Sequence, residues 1–480
     1  MDLLRPVIRP YPWGTRTAIA DLQGRPVPAP GPEAELWMGA HPSAPSGVGW
    51  TTLDEVIAAA PERALGADCA ARFGGRLPFL LKVLSAEKAL SIQVHPSRAQ
   101  AEAGYAAENA RGLAAGDPAR NYVDDWPKPE LLYALTPFEV AVGLRTPSEA
   151  AALLRALAVP ELQPLAAALE AALPLAAPPL AAPPPAAPPP AAPSLTAPSL
   201  TAPPLTAPPS AAPSLTPPPP AAPQNAPGTD ARAATLASVL EWPESGRPGL
   251  VAAVVAACER LAAADGPYAD ACAAAVRVAA DRPNDLGVVA LLLMRHEVLQ
   301  PGQAVFMRAG GLHAYLRGTG IELLANSDNV VRSGLTSKHI DVPELLKLLD
   351  PSVAVPVLSP RPLVDGLATF DTPAPEFRLY LINLPAPSPP ASASLAPSSP
   401  APALALPGTG PRILLCLDGA CSLRSESGQE LDLTRGESCF IPFADGPVHA
   451  TGQARLVQAT PGEPTPGEST RAAGPHPRPL

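Results

Sequence analysis

LLKVLSAEKALSIQVHP, residues 80–96, is the stretch that most strongly indicates how this chain folds. It contains two runs of Leu, Val and Ile, at 80–84 and 90–95, and a charged turn separates them, as between two neighbouring strands. Alternate side chains of a strand point to one face, so Gln93 and His95 are expected to face the same point inside a barrel. Taken alone, a Gln and a His at this spacing more often form a hydrogen-bonded polar pair in a half-buried strand.

A second segment, PGQAVFMRAGGLHAYL at 301–316, contains a predicted strand that ends in a glycine-rich turn. Gly302 and Gly310 bracket this strand, and in cupin barrels a tight turn of this kind brings a histidine such as His313 into the lumen. Arg308 stands where cupins usually have proline, which is a departure from that pattern. A histidine that follows two glycines is otherwise more often a turn residue than a metal ligand.

A third segment, WPKPELLYAL at 126–135, places an acidic residue at the start of a predicted strand. Proline on both sides of Lys128 favours an extended chain, so Glu130 begins the strand and Lys128 lies on the same side as Glu130. An acidic residue at such a position could equally be exposed to solvent. The three segments together offer nitrogen and oxygen donors but no thiolate, which suits Zn²⁺ with positions open for water or substrate. The predicted ligands are Gln93, His95, Glu130 and His313.

The remaining chain shows a helical region and three segments of low complexity. A chain of 480 residues with 70 prolines is long enough for about three domains of roughly 150 residues, although not all of it is expected to pack. Helical spacing of leucine begins after residue 146 and helical texture extends to about 285, after which the chain is expected to return to strands. Residues 176–227 are mostly Pro, Ala, Ser, Leu and Thr and are predicted to be disordered. The stretch 385–409 is similar, and the tail at 463–480 is also expected to be disordered.

Composition and charge exclude several classes of protein. The net charge of −10 gives no overall basic field for nucleic acid, so a substrate phosphate would require a local cluster of Lys and Arg. No apolar stretch is long enough to span a membrane, and the N-terminus lacks the apolar run of a signal peptide. The six cysteines include no CxxC pair and are expected to be reduced. A cytoplasmic protein that acts on a small molecule is therefore expected.

Six blocks of sequence resemble the signature blocks of type I mannose-6-phosphate isomerases, in the same order and at similar separations. They are PYPWG, ELWMGAHPS, SIQVHP, DDWPKPELLYAL, FMRAGGLHAYL and ANSDNVVRSGLTSKHIDV. The resemblance covers about residues 1–150 and 285–345. It implies a mainly β fold with two cupin-type (jelly-roll) β-barrels and an inserted α-helical domain. The Pro/Ala-rich segments have no counterpart in the family pattern and lie away from the ligand blocks, so catalysis is expected to survive them.

The resemblance also implies a domain organisation. A catalytic cupin domain is expected in two parts, 1–146 and 286–345, with a helical domain between them at 147–285 that contains the insert 176–227. A C-terminal, metal-free cupin-like domain is expected at 346–462, containing the stretch 385–409. The tail 463–480 follows it.

The implied activity is a zinc-dependent aldose–ketose isomerase, with one Zn²⁺ per chain on the four predicted ligands. It would interconvert mannose 6-phosphate and fructose 6-phosphate through a metal-stabilised enediol or enediolate. The residues that match catalytic positions of the family are Arg332, Glu322 and Lys128, and those that match substrate-binding positions are Lys338, Ser91, Lys82 and Glu35. Which of these is the base and which binds phosphate stays open at this stage, and Glu322 could instead orient His313.

Two other functions remain open. The first is another metallo-cupin enzyme such as an Fe(II) dioxygenase, which usually presents three His, or two His and a carboxylate, to its metal. The second is a non-catalytic sensor of sugar phosphates. A monomer or weak homo-oligomer is expected, without nucleic-acid or membrane partners. His41 is expected to be a structural turn residue, and His296, His339, His449 and His476 have no partner at ligand spacing.

Overall fold

The computed structural model describes residues 1–173, 230–385 and 403–463, and the strands of these residues form two antiparallel sheets of eleven strands each. The predicted disordered insert 176–227 lies outside the described residues. So do residues 386–402 of the second low-complexity stretch and residues 464–480 of the predicted tail.

The N-terminal part begins both sheets and carries five helices. Its elements are β1 (Asp2–Arg5), β2 (Val7–Arg9), α1 (Ala18–Leu22), β3 (Glu35–Gly39), β4 (Gly47–Val48), β5 (Thr51–Thr52), α2 (Leu53–Ala59), α3 (Pro61–Leu65), α4 (Ala67–Arg72), β6 (Phe79–Ala86), β7 (Ile92–Val94), α5 (Arg98–Ala110), β8 (Glu130–Ala134) and β9 (Phe138–Leu144). The first predicted strand is confirmed by β6, which is buried along its whole length. The second predicted strand is confirmed as β7, which begins at Ile92 rather than at residue 90.

A run of helices separates β9 from the next strand. It comprises α6 (Pro147–Leu157), α7 (Gln163–Ala171), α8 (Ala231–Leu240), α9 (Arg247–Ala262), α10 (Ala269–Asp281) and α11 (Gly287–Leu292), with short 3₁₀ turns at Pro160–Leu162 and Glu244–Gly246. The expected return to strands just after residue 285 is wrong, because Gly287–Leu292 is helical. All six of its residues are buried, and a fully buried apolar run has no exposed face from which its period could be recognised.

The C-terminal part completes both sheets. Its elements are β10 (Met294–Leu299), β11 (Ala304–Met307), β12 (His313–Ala325), β13 (Val331–Gly334), α12 (Val342–Leu348), β14 (Val357–Leu358), β15 (Arg361–Val364), β16 (Leu367–Thr369), β17 (Arg378–Leu384), β18 (Leu404–Ala405), β19 (Arg412–Ser425), β20 (Glu430–Thr434), β21 (Ser438–Ile441), a 3₁₀ turn at Phe443–Asp445 and β22 (Val448–Thr460). The first six residues of β19 and the last five of β22 are buried, so these long strands contribute much of the core of this part.

Strand β12 joins the two layers of the first sheet, whose main path is β14-β11-β8-β12-β6-β3-β2. The first half of β12 pairs with β7 and β9, whereas its second half pairs with β6 and β8. The change of partners occurs at Gly318, which has a φ of 141°. His313 lies at the beginning of β12 and Glu322 lies beyond its bend. The same strand therefore contributes one residue to each of the two layers of the first sheet.

The second sheet, with the main path β15-β16-β17-β22-β19-β21-β1-β4-β5, combines strands from both ends of the chain. Asp2 and Leu3 of β1 pair with Phe440 and Cys439 of β21, a long-range pairing that was not predicted. Within the described residues no strand pairing closes either sheet into a ring, so the structure is mainly β with helices rather than a demonstrated pair of closed barrels. None of the described helices combines the length and apolar character that crossing a bilayer requires.

The bend of β12 generates a prediction about stability. A Cβ added at Gly318 would lie 2.7 Å from a ring carbon of Phe138 and 2.8 Å from its Cα, and the positive φ is unfavourable for a side chain. We expect Gly318→Ala to lower the free energy of unfolding by about 2–4 kcal/mol, from overpacking and backbone strain together. Denaturant unfolding monitored by circular dichroism measures the change.

Gly116→Ala is the matched control, because a Cβ at Gly116 would meet nothing within 4 Å. Equal stability of the Gly318 variant and the Gly116 variant would contradict a steric requirement for glycine at the bend.

Candidate metal centre

Three buried side chains from three strands converge in the first sheet. His95 directly follows β7, Glu130 begins β8 and His313 begins β12. One ligand atom from each residue lies within 4.8 Å of the others. The His95 Nε2 atom is 3.2 Å from Glu130 Oε1, and the His313 Nε2 atom is 3.3 Å from Glu130 Oε2. The relative exposures of the three residues are 1%, 2% and 2%, so water does not shield these contacts.

The hydrogen bonds of the two imidazoles show that the cluster fits a metal ion. His95 Nδ1 lies 2.7 Å from the Asn329 carbonyl oxygen, which can only accept, so Nδ1 carries the proton and Nε2 carries a lone pair. His313 Nδ1 lies in the same way 3.2 Å from the Gly311 carbonyl oxygen. The buried His95 Nε2 has no hydrogen-bond partner. The Nε2 lone pairs of His95 and His313 therefore face the Glu130 carboxylate. A divalent cation placed between these atoms could be bound by all three side chains and would remove their mutual repulsion.

The protonation states also suit a metal. Burial lowers the pKa of His95 to about 4, against the opposing charge of Glu130, so the imidazole is neutral at pH 7. Burial alone would raise the pKa of Glu130, but the charge of Lys128 holds that pKa well below its usual range. The Lys128 Nζ atom is 3.1 Å from Glu130 Oε1. Neutral imidazole and ionised carboxylate are the forms that coordinate metals.

Gln93, the fourth predicted ligand, is placed beside the cluster by strand register. Its Cα is opposite that of His313 on β12 and also opposite that of Arg332 on β13. The amide Nε2 of Gln93 donates to Ser91 Oγ at 3.1 Å, which leaves the amide oxygen as the atom available to a metal. Ser91 is thus brought to the cluster through Gln93.

Beneath the cluster lies a second buried group of charges, formed by Lys82, Glu322 and Glu35. Lys82 Nζ is 3.0 Å from Glu322 Oε2 and 3.9 Å from Glu35 Oε1. Glu35 also accepts a hydrogen bond of 2.7 Å from Trp37 Nε1. Burial opposes the charge of Lys82, but Glu322 and Glu35 hold its pKa above the ordinary value, and burial raises the pKa of Glu322 despite Lys82. Glu322 therefore pairs with Lys82 and does not orient the His313 ring, whose Nδ1 contacts Gly311.

Arg332 and Lys338 form a cationic edge next to these groups. Within the described residues the Arg332 guanidinium has no hydrogen bond or ion pair, and its burial lowers its pKa. The charge of Arg332, together with burial, lowers the pKa of Lys338. A half-buried arginine that disfavours the protonation of a neighbouring lysine, with no bonded counter-ion on either among the described residues, favours the binding of an anion.

Asp328 is a residue of the site that the sequence analysis missed. Its carboxylate, 47% exposed, lies 3.4 Å from His41 Nε2, and His41 Nδ1 lies 2.9 Å from Ser43 Oγ. Burial would raise the pKa of Asp328, but His41 and the charge of Lys128 hold that pKa below its usual range. Its place four residues before Arg332, in the same block, was the available signal.

The other histidines do not join the cluster. His41 makes the turn contacts that were expected of it, and its ion pair with Asp328 is an addition to that prediction. Among the described residues, His296, His339 and His449 are not part of the metal-compatible group. His476 lies outside the described residues.

The cluster predicts that one divalent ion binds per chain. An ion that binds only the folded protein should raise the free energy of unfolding by about 2.7 kcal/mol at a free concentration one hundred times its dissociation constant. Thermal unfolding of chelator-treated protein with increasing Zn²⁺ measures this stabilisation. His313→Ala should abolish it, whereas His339→Ala, at an exposed histidine outside the cluster, should retain it. Equal zinc stabilisation of the His313 and His339 variants would contradict the site.

Comparison with known proteins identifies the relatives of this chain. A family model described as phosphomannose isomerase type I, catalytic domain, matches residues 1–146, and one described as mannose-6-phosphate isomerase, cupin domain, matches residues 411–461. The mannose-6-phosphate isomerase of Salmonella typhimurium is 32% identical over 94% of this chain and 97% of its own length. The mannose-6-phosphate isomerase of Escherichia coli strain K12 is 32% identical over the same shares of the two chains.

Solved structures show the same likeness in three dimensions. The crystal structure of mannose 6-phosphate isomerase from Salmonella typhimurium, bound to its substrate F6P and to zinc, has a TM-score of 0.73 to this structure. It is 29% identical in sequence, and the alignment covers 96% of this chain and 99% of that chain. With relatives 32% identical over nearly their whole length, and with matching family models at both ends of the chain, this chain belongs to the type I mannose-6-phosphate isomerase family.

Proposed function

We propose that this protein is a zinc-dependent isomerase that interconverts mannose 6-phosphate and fructose 6-phosphate. The observation that carries the proposal is the buried set of two imidazoles, of which that of His95 is neutral, and one ionised carboxylate, which lies beside cations that can receive a phosphorylated sugar. The relative bound to F6P and zinc supports both the substrate class and the metal. The proposed zinc ligands are Gln93, His95, Glu130 and His313.

The reaction requires a proton to move between two neighbouring carbons and negative charge to be stabilised while it moves. Bound zinc would supply Lewis-acid stabilisation of that charge. The Arg332 guanidinium, which has no ion pair of its own within the described residues, would add a second positive charge on the substrate side. Lys128 and Glu322 are the proposed proton carriers. Burial raises the pKa of Glu322, so that its carboxyl group can exchange a proton closer to neutral pH than an exposed glutamate can.

The sugar phosphate would be held by groups at two levels of the site. Lys338 at the exposed edge, with Arg332 beside it, offers charge to the phosphate. Ser91 lies against Gln93 and offers a hydroxyl group. Lys82 and Glu35 are paired with other groups in the interior and would shape the floor of the substrate site.

We further propose the predicted arrangement of two cupin-type barrels and an inserted helical domain. In support, the described residues between β9 and β10 form helices α6 to α11 and no strand, and β12 is shared by two layers as in a jelly roll. The proposed boundaries are 1–146 with 286–345, then 147–285 and 346–462, except that β1 pairs with the C-terminal sheet. The cytoplasmic location and the monomeric or weakly associating state stay predictions.

An Fe(II)-dependent oxygenase deserves testing as a second candidate, because two histidines and one carboxylate are also the ligand set of such enzymes. The cations of the site disfavour it. Lys128 contacts the carboxylate ligand itself, and Arg332 and Lys338 suit an anionic substrate better than O₂ chemistry. Metal analysis of purified protein and measurement of O₂ consumption distinguish the two: iron with O₂ uptake would overturn the isomerase proposal.

Removal of the metal should abolish the proposed activity reversibly. Purified protein should convert mannose 6-phosphate into fructose 6-phosphate in a coupled assay, lose turnover after chelator treatment and regain it with Zn²⁺. Reversible loss is expected because the metal contributes several kcal/mol of charge stabilisation without forming the fold by itself. Binding of the sugar phosphate without turnover, in zinc-loaded protein, would favour the sensor function instead.

Arg332→Ala should separate metal binding from catalysis. Within the described residues, Arg332 has no hydrogen bond or ion pair with the three clustered ligands, so zinc affinity should stay within about twofold. By contrast, kcat should fall by about 10²–10³-fold, because the charge of Arg332 is proposed to act in the transition state. Steady-state kinetics and zinc titration measure both effects. Arg317→Ala, at an exposed arginine of β12, is the control and should keep the original kcat. Undiminished kcat in the Arg332 variant would show that its proposed role is wrong.

A further inference from the structure

Asn329, between β12 and β13, uses all of its polar atoms in buried hydrogen bonds. It is 0% exposed. Its Oδ1 accepts from the Val123 and Asp124 amides at 2.8 and 3.2 Å, and its Nδ2 donates to the Asp124 and Trp126 carbonyl oxygens, both at 2.8 Å. Its own carbonyl oxygen receives the His95 Nδ1–H at 2.7 Å. One residue therefore contacts a ligand with its backbone and a separate loop with its side chain.

That loop, residues 123–126, and the loop 327–329 form what we call the paired loops. Besides the bonds of Asn329, the Asp124 carboxylate accepts from Ser327 Oγ at 2.8 Å and from the Asp328 amide at 2.9 Å. Ser327 Oγ also donates to the Trp126 carbonyl oxygen at 3.2 Å. The two loops are distant in sequence, and these bonds hold them in one arrangement.

The paired loops lead directly to the residues of the metal centre. The first loop ends at Trp126, two residues before Lys128 and four before Glu130, so the position of this loop affects where β8 begins. Residues 327–329 connect Glu322 on β12 with Arg332 on β13. A shift of either loop would therefore move a metal ligand on one side and a catalytic candidate on the other.

We propose that Asn329 is the positioning residue of the metal centre. Its side chain fixes the distance between the paired loops, and its carbonyl oxygen fixes the tautomer and orientation of His95. This inference rests on the proposed metal site. Groups that orient a metal ligand from behind typically change metal affinity by about 10–100-fold when they are altered, even though they never touch the metal.

Asn329→Asp and Asn329→Ser are the variants that test the proposal. Asn329→Asp keeps the size of the side chain but replaces the Nδ2 donor with an oxygen that faces the carbonyl oxygens of Asp124 and Trp126. Asn329→Ser is milder, because it removes the reach of the amide without adding charge. Asn326→Ala is the matched control, since Asn326 lies in the same segment but donates to the Leu77 carbonyl oxygen instead.

Three quantities are measured on the full chain: the zinc dissociation constant by competition with a chromophoric chelator, the visible absorption spectrum of Co²⁺-loaded protein, and the unfolding temperature without metal. We expect both Asn329 variants to bind zinc about 10–100-fold more weakly and to show a changed Co²⁺ spectrum. We expect Asn326→Ala to keep the original zinc affinity and spectrum. A purely structural role would lower the unfolding temperature and leave the affinity and spectrum unchanged.

Zinc affinity within twofold of the original in either folded Asn329 variant would overturn the inference, as would an equal loss of affinity in Asn326→Ala. These outcomes are separate from failure of the proposed function. If the unaltered protein binds zinc but does not isomerise the sugar phosphate, the proposed function is wrong, and the affinity measurements still decide whether Asn329 positions the metal centre. If the unaltered protein binds no zinc, the metal site itself is wrong and the inference is overturned with it.

Discussion

The carboxylate of Glu130 is the constraint on which the rest of the site depends. It is ionised although it is buried, and it faces two imidazole nitrogens whose lone pairs repel it. Burial of an uncompensated charge costs several kcal/mol, and Lys128 offsets only part of this cost from one side. In the proposed site, a zinc ion between the carboxylate and the imidazoles would supply further compensation. The proposed zinc ion would thus complete the charge balance of a cluster that the strands of the first sheet already bring together.

Strand β12 is the element through which the fold meets that requirement. Its beginning brings His313 opposite Gln93, and beyond the bend at Gly318 it brings Glu322 opposite Lys82. The ligand His313 and the ion-paired Glu322 therefore lie on the same strand, but the two halves of that strand pair with different neighbours: β7 and β9 for the first half, β6 and β8 for the second. A straight strand would pair with only one set, so the change of partners at Gly318 makes the common site possible.

Much of the ligand set could be predicted from the sequence because it depends on local rules. Strand parity placed Gln93 and His95 on one face, and prolines on both sides of Lys128 indicated where Glu130 begins its strand. The pairing of β1 with β21, the helical state of α11 and the contact between Asp328 and His41 depend instead on partners distant in the chain. Local patterns carry no information about such partners. Asn329 lies in the same block as Arg332, but its proposed role depends on bonds to residues some two hundred positions away, which the block alone did not reveal.

The distribution of charge separates two tasks within the site. In the interior, Lys82 contacts both Glu322 and Glu35, so its positive charge is compensated there and does not attract anions from solvent. Arg332 and Lys338 lie nearer the solvent, and among the described residues neither has a hydrogen-bonded counter-ion. We propose that an anionic substrate binds at this edge, because the positive charge of Arg332 and Lys338 is not offset there by a bonded counter-ion. The phosphate would stay where it can be solvated, while the carbon atoms that exchange the proton lie toward the buried ligands.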